Sequence, residues 1–127
     1  MIRKVLIVDD SPIAIRILKA CLPSGFDAAC FEARDGAEGV ACFKKIKPDL
    51  TFLDLTMPVM DGFEALEEMM KIDQNAVVII VSADIQKKVF EKVASMGAFL
   101  MLHKPPSKEV IQSAIEKATA QIREVRV

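Results

Sequence analysis

The chain has 127 residues, 52% of them hydrophobic, which is enough for one well-buried core and too few for two domains of ordinary size. Lys plus Arg (17) nearly balances Asp plus Glu (18), so no net field draws the protein to nucleic acid or to an anionic membrane surface. The longest apolar runs, residues 76–81 and 98–102, fall far short of the roughly 18 residues that span a bilayer, and no leader-like apolar segment opens the chain. A single domain over 1–127 without membrane insertion is expected, placed in the cytoplasm. Cys21, Cys30 and Cys42 are odd in number and widely spaced, which disfavours a disulfide framework and a zinc site and leaves three reduced, mostly buried thiols.

In chain order, Val5-Leu6-Ile7-Val8 is a short apolar run that stops at two aspartates, the pattern of a buried strand ending at a polar rim. Ser11-Pro12 then offers a capping hydroxyl and a proline at the first helical position, and Ala14, Ile17, Leu18 and Cys21 recur on one predicted face. A second strand is expected over 26–33. Asp35-Gly36-Ala37-Glu38 resembles a capped start for a second helix running to about Lys47. Leu50-Thr51-Phe52-Leu53 reads as a third strand, and it again runs into an aspartate, Asp54.

Asp61 is read as a cap for a third helix with Phe63, Leu66 and Met70 inward, and 77–81 as a β-branched fourth strand ending at Ser82. Asp84 is expected to cap a fourth helix with Ile85, Val89, Val93 and Met96 on one face. Gly97 closes it, and 99–102 forms a fifth strand ending near Lys104. The last helix is the clearest, with Ile111, Ile115, Ala118, Ile122 and Val125 recurring at gaps of three and four.

Five strands alternating with five helices imply right-handed crossovers and a parallel sheet covered on both faces. This is a flavodoxin-like doubly wound (βα)5 domain, for which strand order 2-1-3-4-5 is expected. In such sheets ligands sit beyond the carboxyl ends of the strands, where the order reverses. The residues there are Asp9 and Asp10, Asp54, Ser82 and Lys104. Three converging carboxylates cannot all ionise cheaply in a partly desolvated cleft, and a hard divalent cation with oxygen ligands relieves them. Taken singly, Asp9-Asp10 reads as a solvated loop with Asp10 capping a helix, and Asp54 as a turn residue; together with Lys104 they read as a site.

Val8-Asp9-Asp10-Ser11, the run from Leu53 through Asp54, Met57, Pro58 and Asp61 to Gly62, Val81-Ser82-Ala83 and His103-Lys104-Pro105 together resemble the signature set of response regulator receivers. The resemblance spans essentially the whole chain. It implies that Asp54 is a phospho-acceptor, with Lys104 and Ser82 contacting the phosphoryl group. It further implies that Asp9, Asp10, Asp54 and the backbone carbonyl of Thr56 hold Mg²⁺, for which Mn²⁺ can substitute. A cis Lys104–Pro105 bond is expected by the same resemblance, as are lifetime-tuning positions at Thr56 and Asp84.

The implied function is a stand-alone, CheY-like regulator that is a switch and not an enzyme. It would receive its phosphoryl group from a sensor histidine kinase or a histidine phosphotransfer protein. It would signal to a separate target through the face of helix four, strand five and helix five. A monomer is expected, with dimerisation on activation as a variant, and chemotaxis, relay transfer and phosphate storage all remain open. The sequence departs from the family at Met101, where a Tyr or Phe usually stands three residues before the lysine. His103 is expected to point away from Lys104. A dehalogenase-type phosphatase would need an acid where Thr56 stands, and a flavodoxin would need a Ser/Thr/Gly-rich loop where Asp-Asp-Ser-Pro stands. An interaction module with a decayed acceptor site is the remaining alternative.

Overall fold

The computed structural model describes residues 1–125. The elements alternate as β1 (Lys4–Val8), α1 (Pro12–Ala20), β2 (Ala29–Ala33), α2 (Gly36–Ile46), β3 (Leu50–Leu53), α3 (Gly62–Ile72), β4 (Val78–Ser82), α4 (Lys87–Ser95), β5 (Leu100–His103) and α5 (Lys108–Val125). The strands form one parallel sheet in the order β2-β1-β3-β4-β5, as expected. Because side chains alternate along a strand, the sheet divides the core in two. Val5, Ile7, Phe52, Ile79 and Val81 pack against Ile15 and Leu18 of α1 and Ile111, Ile115, Ala118 and Ile122 of α5. Leu6, Val8, Leu53, Val78 and Ile80 pack against Val40 and Phe43 of α2, Leu66 and Met69 of α3, and Val93 of α4. No helix among the described residues is long and apolar enough to cross a membrane.

Several helix starts follow from local chemistry. Ser11, Asp35 and Asp61 each accept a hydrogen bond from the backbone N–H three residues ahead, satisfying one of the donors a helix start leaves over. Where the sequence reading slipped, the cause is tertiary. The second strand begins at Ala29 rather than Phe26, because Phe26 is held in a turn by Pro23 and pairing with β1 begins only where Ala29 N–H meets the Arg3 carbonyl. On α1 the buried residues are Ile15 and Leu18, while Ile17 is 40% exposed. On α3 they are Ala65, Leu66 and Met69, with Phe63 and Met70 on the flanks. Val125 is exposed, and Ala114 joins the α5 stripe instead.

Asp84 does not cap α4: its carboxylate accepts from Gln86 N–H two residues on, and Gln86 occupies the cap position without a side-chain bond. Ile85 therefore lies outside the helix and is exposed. The three cysteines are free and half-buried, and burial pushes the Cys30 and Cys42 thiols above the ordinary value.

Leu66 is fully buried between α3 and the sheet, directly behind the strand that ends at Asp54. Leu66→Ala is expected to cost about 2–5 kcal/mol, as a cavity-forming core truncation does, read as a lower urea midpoint with an unchanged slope.

Candidate functional site

Parallel strands bring their carboxyl ends to one edge, and the chain turns outward there at each crossover. β1 delivers Asp9 and Asp10, and β3 delivers Asp54, whose N–H donates to the Val8 carbonyl so that the two acidic ends stay in register. β4 and β5 deliver Ser82 and Lys104, tied by Lys104 N–H donating to the Ser82 carbonyl. Asp9, Asp54 and Ser82 are buried, while Asp10 is exposed at the mouth. Carboxylate oxygens of Asp9, Asp10 and Asp54 all lie within 4.8 Å of one another.

Lys104 Nζ lies 2.7 Å from Asp9 Oδ2 and 3.5 Å from Asp54 Oδ2. The Lys104–Pro105 bond is cis, as expected. Asp9 Oδ1 accepts from Ser11 N–H at 2.9 Å, and Asp54 Oδ1 accepts from Leu55 N–H at 2.9 Å, with the Thr56 backbone N–H also bonding the Asp54 carboxylate. Each acid thus keeps an oxygen turned toward the common space. Ser82 Oγ accepts from Asp84 N–H at 3.0 Å. His103, paired with Ser82 across the sheet, is exposed on the other side from Lys104.

The charges do not balance. Burial pushes the Asp54 carboxyl above its ordinary value, the Asp9 charge adds to that, and Lys104 with two backbone N–H groups offsets only part of it. For Lys104 burial is the largest single influence and opposes its charge, but the Asp9 hydrogen bond and the charges of Asp54 and Asp9 together outweigh it and raise its pKa. One ammonium among three carboxylates leaves the pocket with a deficit of positive charge that a divalent, oxygen-seeking cation matches. The donor set therefore fits Mg²⁺, with Asp9, Asp10 and Asp54 each offering a carboxylate oxygen and Asp9 also pairing with Lys104.

An apolar cleft adjoins the acids. Ile13 and Ile17 of α1 form one wall, with Ala83, Pro105 and Pro106 opposite. Ile13 is 65% exposed, so this rim is free to meet another molecule. The sequence reading did not single out this rim, because it took Ile17 as core. It also missed the close packing around the acceptor loop: a Cβ on Gly62 would overlap the Asp54 carbonyl, and one on Gly36 would overlap the Met60 carbonyl. The signal was the Asp-Gly pair at both helix starts.

A parallel doubly wound sheet with an acidic, lysine-braced pocket at its point of strand reversal has its candidate site where folds of this class bind their ligands. The family model for the response regulator receiver domain matches residues 5–116, and the chain belongs to that family. It is 35% identical over 117 residues to the chemotaxis protein CheY of Thermotoga maritima, covering 92% of this chain and 98% of that one. It is also 35% identical to the sporulation initiation phosphotransferase F of Bacillus subtilis, covering 92% and 94%. The structure of a CheX–CheY–BeF3–Mg complex from Borrelia burgdorferi matches with a TM-score of 0.79 at 31% identity, over 98% of this chain and 90% of that one. The protein is thus a two-component response regulator of the CheY-like kind.

An ionised Asp54 costs folding stability, because its folded-state pKa is raised: the native state gains stability as pH falls toward the unfolded value and loses it as pH rises through the folded one. Metal-free Asp54→Asn is therefore expected to melt higher than the parent at pH 7, by about 2–5 °C if roughly 1 kcal/mol is recovered. The difference should shrink as both are acidified. Mg²⁺ at about 100 times its Kd should stabilise the parent by about 2.7 kcal/mol and leave Asp54→Asn nearly unmoved in calorimetric melts.

Proposed function

We propose that Asp54 is the phospho-acceptor of this regulator, that Asp9, Asp10, Asp54 and the Thr56 carbonyl form its Mg²⁺ site, and that Lys104 and Ser82 complete the machinery. The observation that carries this is the convergence of three carboxylates at the sheet edge, two of them paired with a single ammonium. Mg²⁺, or Mn²⁺ in its place, would supply charge neutralisation to the phosphoryl oxygens there. An Asp54 oxygen attacks the donor phosphorus in line, and the bond from phosphorus to the leaving group breaks. For a phosphohistidine donor the bonding pair returns to the imidazole nitrogen. Lys104 is already between Asp9 and Asp54, so it meets the incoming group without reorganising. The magnesium that accompanies CheY in the Borrelia burgdorferi complex supports the metal assignment.

The donor is a sensor histidine kinase or a histidine phosphotransfer protein. Its docking side is the apolar rim of Ile13, Ile17 and Pro106, which lines the same cleft as Asp54. Once phosphorylated, the protein carries roughly −1.5 to −2 of new charge. Ser82 then exchanges its bond to Asp84 N–H for a phosphoryl oxygen. Met101 lies on the same sheet face as Val89, Val93 and Met96 and repacks in place of the usual aromatic residue. This biases the α4–β5–α5 face, where Phe90 and Val110 are exposed, toward a separate target protein.

The protein works in this reading as a cytoplasmic, monomeric switch rather than as an enzyme with turnover on a small substrate. The chain covers its CheY and phosphotransferase F relatives nearly end to end. Chemotaxis is favoured by several CheY relatives, and relay transfer by the similarity to phosphotransferase F.

Incubation with Mg²⁺ and acetyl phosphate is expected to add one phosphoryl group by intact mass, and none to Asp54→Asn. Lys104→Ala should slow that labelling by about 10²–10³-fold, as loss of one preorganised charge does. Labelling of Asp54→Asn at the parent rate would remove Asp54 from its role.

A further inference from the structure

The loop from Leu55 to Asp61 is unusual in how it is held. Gly62 N–H donates to the Leu55 carbonyl at 2.9 Å and closes its base, and Met60 N–H donates to the Pro58 carbonyl at 2.7 Å across Val59. That three-residue turn places Val59 at φ +69, a sparsely populated conformation for a β-branched residue. Val59 is 84% exposed, so burial of its side chain does not offset the strain. A strained turn persists only where its surroundings over-determine it.

The outside restraint comes from α2. Gly36 is the first residue of that helix, and its N–H, one of those a helix leaves without an internal partner, donates to the Met60 carbonyl at 3.0 Å. A Cβ at Gly36 would overlap the Met60 carbonyl and Cβ, so only glycine allows this seating. The same loop begins with the Leu55 and Thr56 N–H groups that orient the Asp54 carboxylate.

We propose that Gly36 is a positioning residue for the acceptor site, bracing the far end of the loop so that its near end presents Asp54 and Thr56 to the metal. The inference rests on the pocket binding Mg²⁺ as proposed above. It places a determinant of metal affinity on α2, whose residues make none of the direct contacts in the pocket.

The test compares the parent with Gly36→Ala, and with Gly97→Ala as a control. Gly97 is constrained differently, by a φ of +103, and it follows α4 beside Met70, away from the loop. Isothermal titration with Mg²⁺ alone is expected to show Gly36→Ala weakened roughly tenfold, the size typical of losing an outer support of a metal ligand. Gly97→Ala should melt lower yet bind with the parent's Kd. Labelling of Gly36→Ala by acetyl phosphate should be slow at low Mg²⁺ and approach the parent at saturation. In ¹⁵N-labelled parent protein, the Gly36 amide resonance should shift with Mg²⁺ along the same isotherm as Leu55 and Thr56. Parent Kd in a folded Gly36→Ala overturns the brace. If that variant does not fold, a Gly36 amide that ignores Mg²⁺ while Thr56 responds overturns it equally. A parent that binds no Mg²⁺ overturns the pocket reading instead.

Discussion

Lys104 reaches into a buried corner where Asp9 and Asp54 meet, with Asp10 close behind, and its one positive charge is too little for that company. Transfer of a carboxylate out of water is costly unless a cation or hydrogen bonds replace the lost solvent. Most of the site's construction supplies those replacements. Ser11 N–H serves Asp9, Leu55 and Thr56 N–H groups serve Asp54, and the tie between Lys104 N–H and the Ser82 carbonyl anchors the lysine's backbone. What the chain leaves over is a deficit of positive charge, the electrostatic condition a divalent cation relieves.

The fold makes this tolerable by separating the site from the bulk of the core. Two apolar layers, one under α1 and α5 and one under α2, α3 and α4, hold the sheet. The polar groups collect only at its carboxyl edge. Each strand end is fixed to its neighbour through backbone hydrogen bonds, so the carboxylates cannot relax apart to relieve their repulsion. Toward the β4–β5 edge the packing is lighter, and α4 there has only Val93 fully buried and no side-chain cap. Lys92 over the Phe63 ring, at 4.1 Å, is among the contacts that hold α4 to α3.

Membership of the receiver family and the assignment of roles within this chain stand on different observations. The family rests on a match over residues 5–116 and on relatives covered nearly end to end. The roles rest on burial, distance and charge at Asp9, Asp10, Asp54, Ser82 and Lys104. Met101 shows why the distinction matters: it packs against the layer under α4, where a flexible thioether stands in place of the ring that the family pattern anticipates.

Alternation of apolar strands with amphipathic helices determined the element order and the parallel sheet, and the polar residues at the ends of β1, β3, β4 and β5 marked the candidate site. These are properties of local periodicity and of which residue types tolerate a buried edge, and both are written in the chain itself. Tertiary structure alone decided which of Ala14, Ile15 and Ile17 faced the core and that Asp84 formed a turn ahead of α4 rather than its cap. It also decided that Lys104 sits closer to Asp9 than to Asp54, and that Gly36 meets the acceptor loop. Helical faces a few tens of degrees apart have nearly equal apolar content, and contacts between residues far apart in sequence leave no periodic trace. Only packing chooses between them.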